Sequence, residues 1–95
     1  MQVVPEPKSL PPDSQTIEKT AKTVFQLVKL TGTMEISELR KAVLSAPADW
    51  IVCLRSNVPP FRPYAMFFNG NIIVTYRMAV LYDDCAREMY VQVGP

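Results

Sequence analysis

A tight β-hairpin is the strongest structural signal in this chain of 95 residues. The dipeptide Asn69-Gly70 stands between two apolar runs rich in aromatic and β-branched residues, 64–68 and 71–76. Asn and Gly tolerate the positive φ angles that both central residues of a type I′ turn require, so we expect these two residues to form the loop. The domain therefore includes antiparallel β-sheet.

The expected register divides the side chains of this hairpin between two faces. With Asn69 and Gly70 in the loop, Phe67 lies opposite Ile72, on a face that we expect to point into the core. This core face also carries Ala65, Val74 and Tyr76. The second face is too apolar for contact with water alone, so we expect either a helix or a partner to cover it.

Apolar residues at helical spacing predict three helices. The first runs over 14–31 and ends before Gly32, a residue type that suits the position after a helix C-terminus. The second runs over 36–46 and ends before a proline, because the residue preceding a proline disfavours helical geometry. The third covers about 78–89, with Cys85 on its apolar side.

The remaining segments supply a strand, a loop and a leader. Residues 50–54 are apolar and of β type and predict a strand, which a proline-rich loop over 58–63 follows. Residues 1–12 hold four of the nine prolines and predict a flexible leader, either a plain linker or a docking peptide. Residues 13–95 then form a single domain, and the alternating run that begins at Tyr90 leads us to expect that it was cut from a longer protein.

In chain order these elements predict an α+β domain with two N-terminal helices, a three-stranded antiparallel sheet containing the hairpin, and a closing helix. This order resembles a winged-helix arrangement at the level of fold, without a motif specific to any family. Residues 47–56 look like a strand where a DNA-reading winged helix places its recognition helix, so strand and recognition helix stay open alternatives here. Two helices packed on a three-stranded sheet fit the same pattern.

Most catalytic chemistry is missing from the sequence. Histidine is absent, which removes His-based acid–base catalysis and His-containing metal sites. Cys53 and Cys85 are predicted to be buried thiols, and the three scattered glycines form no phosphate-binding loop. We therefore predict no catalytic residue, no metal and no cofactor. The acidic residues Asp83, Asp84 and Glu88 are the one candidate for an enzyme, and we interpret them as a solvated helix face.

A formal net charge of +1 and an apolar hairpin face favour a non-catalytic protein–protein interaction module of an intracellular multi-protein complex. The expected partner is another protein chain or the rest of a longer polypeptide, and a homodimer is a further alternative. Aromatic and methionine side chains dominate interface energetics. The predicted contact residues are Phe61, Tyr64, Met66, Phe68 and Ile73.

The alternative function is nucleic-acid binding by a winged-helix-like domain, with a basic helix row and the hairpin as a wing. Such a surface would make weak, salt-dependent phosphate contacts. Its candidate residues are Lys19, Lys22, Lys29, Arg40, Lys41, Arg62 and Arg77. The sequence shows no signal peptide and no apolar run long enough to span a bilayer, so we expect a cytoplasmic or nuclear protein without a membrane partner.

Overall fold

A six-stranded antiparallel sheet and one α-helix form the domain in the computed structural model, which describes residues 4–93. The elements are α1 (Ser14–Leu27), β1 (Met34–Ser37), β2 (Arg40–Lys41), β3 (Trp50–Ser56), β4 (Tyr64–Asn69), β5 (Ile72–Met78) and β6 (Tyr90–Gln92). Two short 3-10 turns, Leu81–Asp83 and Cys85–Arg87, lie between β5 and β6. The strand order is β5-β4-β3-β1-β6, and β2 pairs with β3 beyond the end of β1.

The central strands β3 and β4 are buried on both faces, which explains why their sequences are continuously apolar. On one face Val52 and Met66 pack with the buried stripe of α1. On the opposite face Ile51 and Phe67 pack with Cys85 and with alanines from the segments that follow β2 and β5. The α1 stripe consists of Ile17, Ala21 and Val24.

Helix α1 begins as the sequence predicts and ends earlier. The Asp13 side chain caps the N-terminus by accepting a hydrogen bond of 2.7 Å from the Thr16 amide. At the other end Lys29 has φ 59°, and the amide of Leu30 donates to the Phe25 carbonyl at 3.1 Å. This is a Schellman ending, so the left-handed position after the helix is filled by Lys29 and not by Gly32.

The predicted second helix is wrong, because most of 36–46 is extended or in turns. Strand β1 pairs with β3, which places Ile36 opposite Leu54. The neighbouring pair is tied by an ion pair of 2.8 Å between Arg55 Nε and Glu35 Oε1. The pairing register with β3 shifts by one residue at 38–39, and β2 then continues along the same edge of β3. Sheet pairing therefore overrides a short stretch of helical spacing.

The predicted closing helix over 78–89 is also wrong. Asp84 has φ 55° and separates the two 3-10 turns, so no continuous helix forms. The apolar residues that suggested the helix do not share a buried face, since Leu81 is 89% exposed and Met89 is 85% exposed. Cys85, in contrast, is buried and bonded to Cys53 in a disulfide, which corrects the prediction of two buried thiols.

The predicted hairpin is present, but its loop is shifted by one residue. Asn69 pairs with Ile72, so the two loop residues are Gly70 and Asn71. Only Gly70 has a positive φ, 59°, which fits a type II′ turn and not type I′. A bulge follows, and Phe67 lies opposite Thr75 and not opposite Ile72 as predicted.

The predicted winged-helix-like fold class is therefore wrong. Residues 4–93 form a mostly β fold with one α-helix and a six-stranded antiparallel sheet. The alternative of two helices on a three-stranded sheet fails on the same elements. Residues 50–56 form a strand and not a recognition helix, which resolves the alternative that the sequence left open. The coarser description of a helix packed with antiparallel sheet holds.

Candidate interaction surfaces

The structure disperses the five contact residues predicted for a protein partner. Met66 and Phe68 are fully buried, because α1 covers the face of the hairpin that the sequence left to a helix or a partner. Tyr64 and Ile73 are half-buried against the same core. Phe61, in the loop before β4, is exposed at 46%. Met66 and Phe68 therefore present no surface to a partner in this conformation.

A different apolar surface lies along strand β5. We define the β5 surface by four exposed apolar side chains along this strand, which do not all lie on one face: Ile72, Val74, Tyr76 and Met78, with exposed fractions of 71, 45, 38 and 52%, respectively. The prediction that Ile72, Val74 and Tyr76 point into the core is therefore wrong, because the sequence does not reveal that β5 is an edge strand. Tyr76 lies opposite Met66, on the same face of the sheet as α1. Because α1 packs on β1 and β3, it leaves Tyr76 on the edge strand exposed.

Strand β5 carries little protection against an added strand. An edge strand leaves one row of backbone N–H and C=O groups without a strand neighbour, and proteins commonly guard such an edge with Lys, Pro or bulges. Strand β5 has one bulge, between Ile73 and Thr75, and no lysine or proline. Its single charged residue, Arg77, is held by Asp83. The outer edge of β5 therefore has few features that oppose the addition of a strand.

The Arg77–Asp83 pair anchors the chain that follows β5. Arg77 Nη2 donates to Asp83 Oδ1 at 2.7 Å, and Arg77 Nε donates to Oδ2 at 3.2 Å. The Val80 amide also donates to Oδ2, at 3.0 Å. These bonds to Asp83 raise the pKa of Arg77 above its ordinary value, so the guanidinium stays charged. It also lies over the Phe67 ring, 4.9 Å from the centroid.

Each of the three acidic residues considered for an enzyme pairs with a different arginine. Asp83 pairs with Arg77, and Asp84 Oδ1 lies 3.9 Å from Arg87 Nε. Glu88 pairs with Arg40, whose Nη2 also donates to the Asp83 carbonyl at 2.5 Å. Residues 4–93 contain no group of three or more acidic or cysteine side chains placed to hold a metal ion.

The basic residues considered for nucleic acid do not form one surface. Lys19, Lys22 and Lys29 lie on α1 or just after it, on one side of the sheet. Arg40 and Arg77 pair with Ile51 and Ala65 of the opposite face and are bound to carboxylates there. Lys41 lies 3.7 Å from a Glu6 oxygen, and Arg62 lines a cavity of about 300 Å³ that Lys29 also lines.

A larger cavity, of about 550 Å³, opens between α1 and the β6 edge of the sheet. Phe25, Met34 and Val93 give it an apolar lining, and Lys22 is the one charged residue among its lining residues in the described part of the chain. A single exposed lysine offers no general base or nucleophile pair.

A polar site near the hairpin turn holds the leader, and the sequence analysis did not identify it. We define the leader site by Asp49, Trp50, Asn69 and Asn71. Asp49 Oδ2 accepts hydrogen bonds from the amides of Lys8 and Ser9 at 3.0 and 2.9 Å and from the Ser9 hydroxyl at 2.8 Å.

The indole of Trp50 completes the contact with Ser9. Its Nε1 donates to the Ser9 carbonyl at 3.2 Å, while the ring packs at the margin of the core. The Ser9 hydroxyl bond, opposed by burial and aided by the two amides, lowers the pKa of Asp49. An aspartate just before a strand gives no sequence signal for this role, because its partner lies 40 residues away.

Comparison with known proteins gives no match. No protein-family model, no curated protein and no solved structure matches it. Across residues 4–93 there is no helix with the length and apolar character needed to cross a bilayer. The case for function therefore depends on the surfaces described above.

Proposed function

We propose that this domain is a non-catalytic protein-interaction module that binds an extended segment of another protein along strand β5. One observation carries the proposal. The seven-residue edge strand β5 combines an open backbone edge with the exposed apolar side chains of the β5 surface. Edge strands of this kind bind peptides by strand addition, in which main-chain hydrogen bonds supply affinity and side-chain contacts supply specificity.

The chemistry of the β5 surface indicates what the partner segment contains. Tyr76 and Met78 lie on the same face of the sheet, opposite Met66 and Tyr64, respectively. An added strand would present its alternate side chains beside them, so we expect apolar residues at every second position of the partner. Exposed Phe61 lies in the loop leading into β4, and Tyr64 and Met78 line the cavity to which it contributes.

The charge distribution makes nucleic acid a weaker candidate. The sheet separates the three α1-side lysines from Arg40 and Arg77, whose guanidinium groups already pair with carboxylates. A phosphate-binding surface requires several basic groups facing one way. Binding of duplex DNA that weakens steeply with salt stays the prediction of that alternative, and the same protein preparation can test it.

The disulfide also bears on the compartment that the sequence predicts. Disulfides persist in oxidising compartments and are rare in the cytosol and nucleus. A Cys53–Cys85 bond thus favours an oxidising environment over the predicted cytoplasmic or nuclear location. Trapping free thiols in intact cells, followed by mass measurement, distinguishes the two states of the protein.

Selection of peptides from a displayed random library tests the proposed function. The wild-type chain serves as bait, and a Val74→Lys/Tyr76→Lys variant serves for counter-selection, since lysine on an edge strand opposes pairing. We expect enriched peptides with alternating apolar residues that bind the wild type and lose binding to this variant. Bound peptide should also slow hydrogen exchange of β5 amides.

Matched controls come from apolar residues that are exposed elsewhere. Leu81→Lys and Met89→Lys add the same charge at positions that are 89 and 85% exposed, respectively, outside any strand. These variants should bind the selected peptides as the wild type does. Peptides that bind the β5 variant equally well, or a library that yields none, would overturn the proposal. Self-association through β5 would appear as a dimer in sedimentation that the lysine variant loses.

A further inference from the structure

We propose that the leader site is a docking site for extended, serine- and proline-containing peptide segments, and that residues 4–12 of the same chain occupy it in cis. This site is separate from the β5 surface, since it lies at the hairpin turn and at the start of β3. The proposal goes beyond the proposed function because it assigns a second ligand class to a second site.

The leader site contacts the backbone of the leader more than its side chains. Four of the six hydrogen bonds between the leader site and residues 8–13 involve main-chain atoms of that segment: the amides of Lys8, Ser9 and Asp13 and the carbonyl of Ser9. The other two involve side chains, namely the Ser9 hydroxyl and the Asp13 carboxylate, which accepts from Asn71 Nδ2 at 3.3 Å. A site that recognises an extended backbone and one hydroxyl group accepts any segment that offers the same groups in the same order.

The chemistry of the site suits a proline-rich ligand. Prolines hold the chain in an extended polyproline geometry, which leaves carbonyl groups facing outward as acceptors. An indole N–H beside such a carbonyl is a suitable donor, and Trp50 supplies it to Ser9. Pro7 and Pro11 flank the residues that reach Asp49, so the cis segment already enters the site with little conformational freedom to lose.

The protein holds the site in place independently of the leader. The Asp49 amide donates to Asn69 Oδ1 at 2.9 Å, and the Asp49 carbonyl accepts from the Ala42 amide at 2.8 Å. Trp50 is a member of β3 and lies opposite Phe68. Both recognition groups are thus fixed by the sheet, and removal of the leader leaves a preorganised acceptor and donor.

The leader itself is held by few apolar contacts. Leu10 is 81% exposed, and Glu6, Lys8 and Pro11 are exposed as well, whereas Pro12 is buried at the entry to α1. The contact depends mainly on polar groups around Asp49, which water can replace. We therefore expect the cis segment to exchange with a free peptide of the same chemistry, in a competition that its tethering favours.

A fluorescence-anisotropy titration with full-length chains tests this exchange. The probe is a labelled peptide with the sequence of residues 4–13. In the wild type the tethered leader competes with the probe, whereas Ser9→Pro in the protein removes the Ser9 N–H and hydroxyl donors and should free the site. We expect the Ser9→Pro chain to bind the probe at least ~10-fold tighter than the wild type, because the tethered competitor is weakened.

Substitutions in the leader site should then abolish the tighter probe binding of the Ser9→Pro chain. In the Ser9→Pro background, Trp50→Phe keeps the aromatic ring and removes the indole donor, and Asp49→Asn removes the carboxylate charge. Each should weaken probe binding ~5-fold or more, since bonds to charged groups and indole donors are lost. A probe with alanine in place of serine should weaken by a similar factor. If one of the two site variants fails to fold, the other still tests the site.

The control is Leu10→Ala, which changes an exposed leader side chain and none of the hydrogen bonds. This variant should match the wild type in probe binding. Lack of probe binding to the Ser9→Pro chain at millimolar concentration would overturn the proposal and leave the leader as a fixed structural strap. Binding that survives both Trp50→Phe and Asp49→Asn would overturn it as well, because the probe would then occupy another surface.

Discussion

Cys85 is bonded to Cys53, and this disulfide fastens the turns after β5 to the middle of the central strand β3. Both residues are buried on the face of the sheet opposite α1. Arg40 lies beside the bond, with its Nη2 3.5 Å from Cys53 Sγ and its Nε paired with Glu88. Covalent and ionic contacts thus cover a face that no second helix covers among residues 4–93.

Removal of the disulfide should destabilise the domain substantially. The bond closes a loop with a sequence separation of 32, for which the loss of chain entropy in the unfolded state corresponds to about 3–4 kcal/mol. A Cys53→Ala/Cys85→Ala variant should lose about that much free energy of unfolding in urea. Wild-type protein should show no free thiol even after denaturation, and a variant as stable as the wild type would contradict this account.

Lysine in a left-handed conformation offers a test of the α1 ending. Lys29 occupies the position after the helix at φ 59°, where glycine is favoured because it has no Cβ. Lys29→Gly should raise the free energy of unfolding by about 1 kcal/mol. Lys22→Gly removes the same side chain inside the helix, where glycine costs about 1 kcal/mol. Two changes of the same sign in a denaturation experiment would contradict the Schellman geometry.

Features that depend on neighbouring residues could be predicted from the sequence. The start of α1 at Ser14 and the hairpin around Gly70 are local, since a few residues determine both the geometry and its hydrogen bonds. The strand that begins at Trp50 is equally local, because its own run of apolar, β-type residues favours an extended conformation. These elements appear in the structure with boundary shifts of one to four residues.

Features that depend on distant contacts could not be predicted. The helical spacing over 36–46 is short, and the pairing of β1 and β2 with β3 decides its conformation. Whether β5 is a central strand or an edge strand depends on the strand order, so its apolar side chains gave no clue to their exposure. The disulfide partners are likewise brought together only by the complete fold.

Substitutions on the two strands of the hairpin should separate core from surface. Phe68 is fully buried under α1, and Phe68→Ala should cost about 3–5 kcal/mol of stability through the cavity it leaves. Tyr76 is 38% exposed on the edge strand, and Tyr76→Ala should cost about 1 kcal/mol or less. Chemical denaturation of both variants measures this difference, and equal losses would contradict the placement of Phe68 in the core and of Tyr76 on the exposed edge strand.

The phenol of Tyr90 should lose its proton only at high pH, and the free energy of unfolding should fall there. Burial, which disfavours the phenolate, raises the pKa of Tyr90 from 10.0 to about 12, and its hydroxyl donates to the Cys85 carbonyl at 2.7 Å. A group whose folded pKa is raised contributes its full stability below the unfolded pKa near 10 and loses it as the pH rises toward about 12. The wild type should therefore lose stability relative to Tyr90→Phe over that interval.

Near-ultraviolet difference spectra of the two proteins measure this titration directly. Subtraction of the Tyr90→Phe curve from the wild-type curve isolates the ionisation of Tyr90 from that of the other three tyrosines. We expect the midpoint of the difference at about 12, with the disulfide segment still folded at the start of the transition. A midpoint at the ordinary value of 10.0 would show that the phenol is open to water and that β6 does not hold it against the turns.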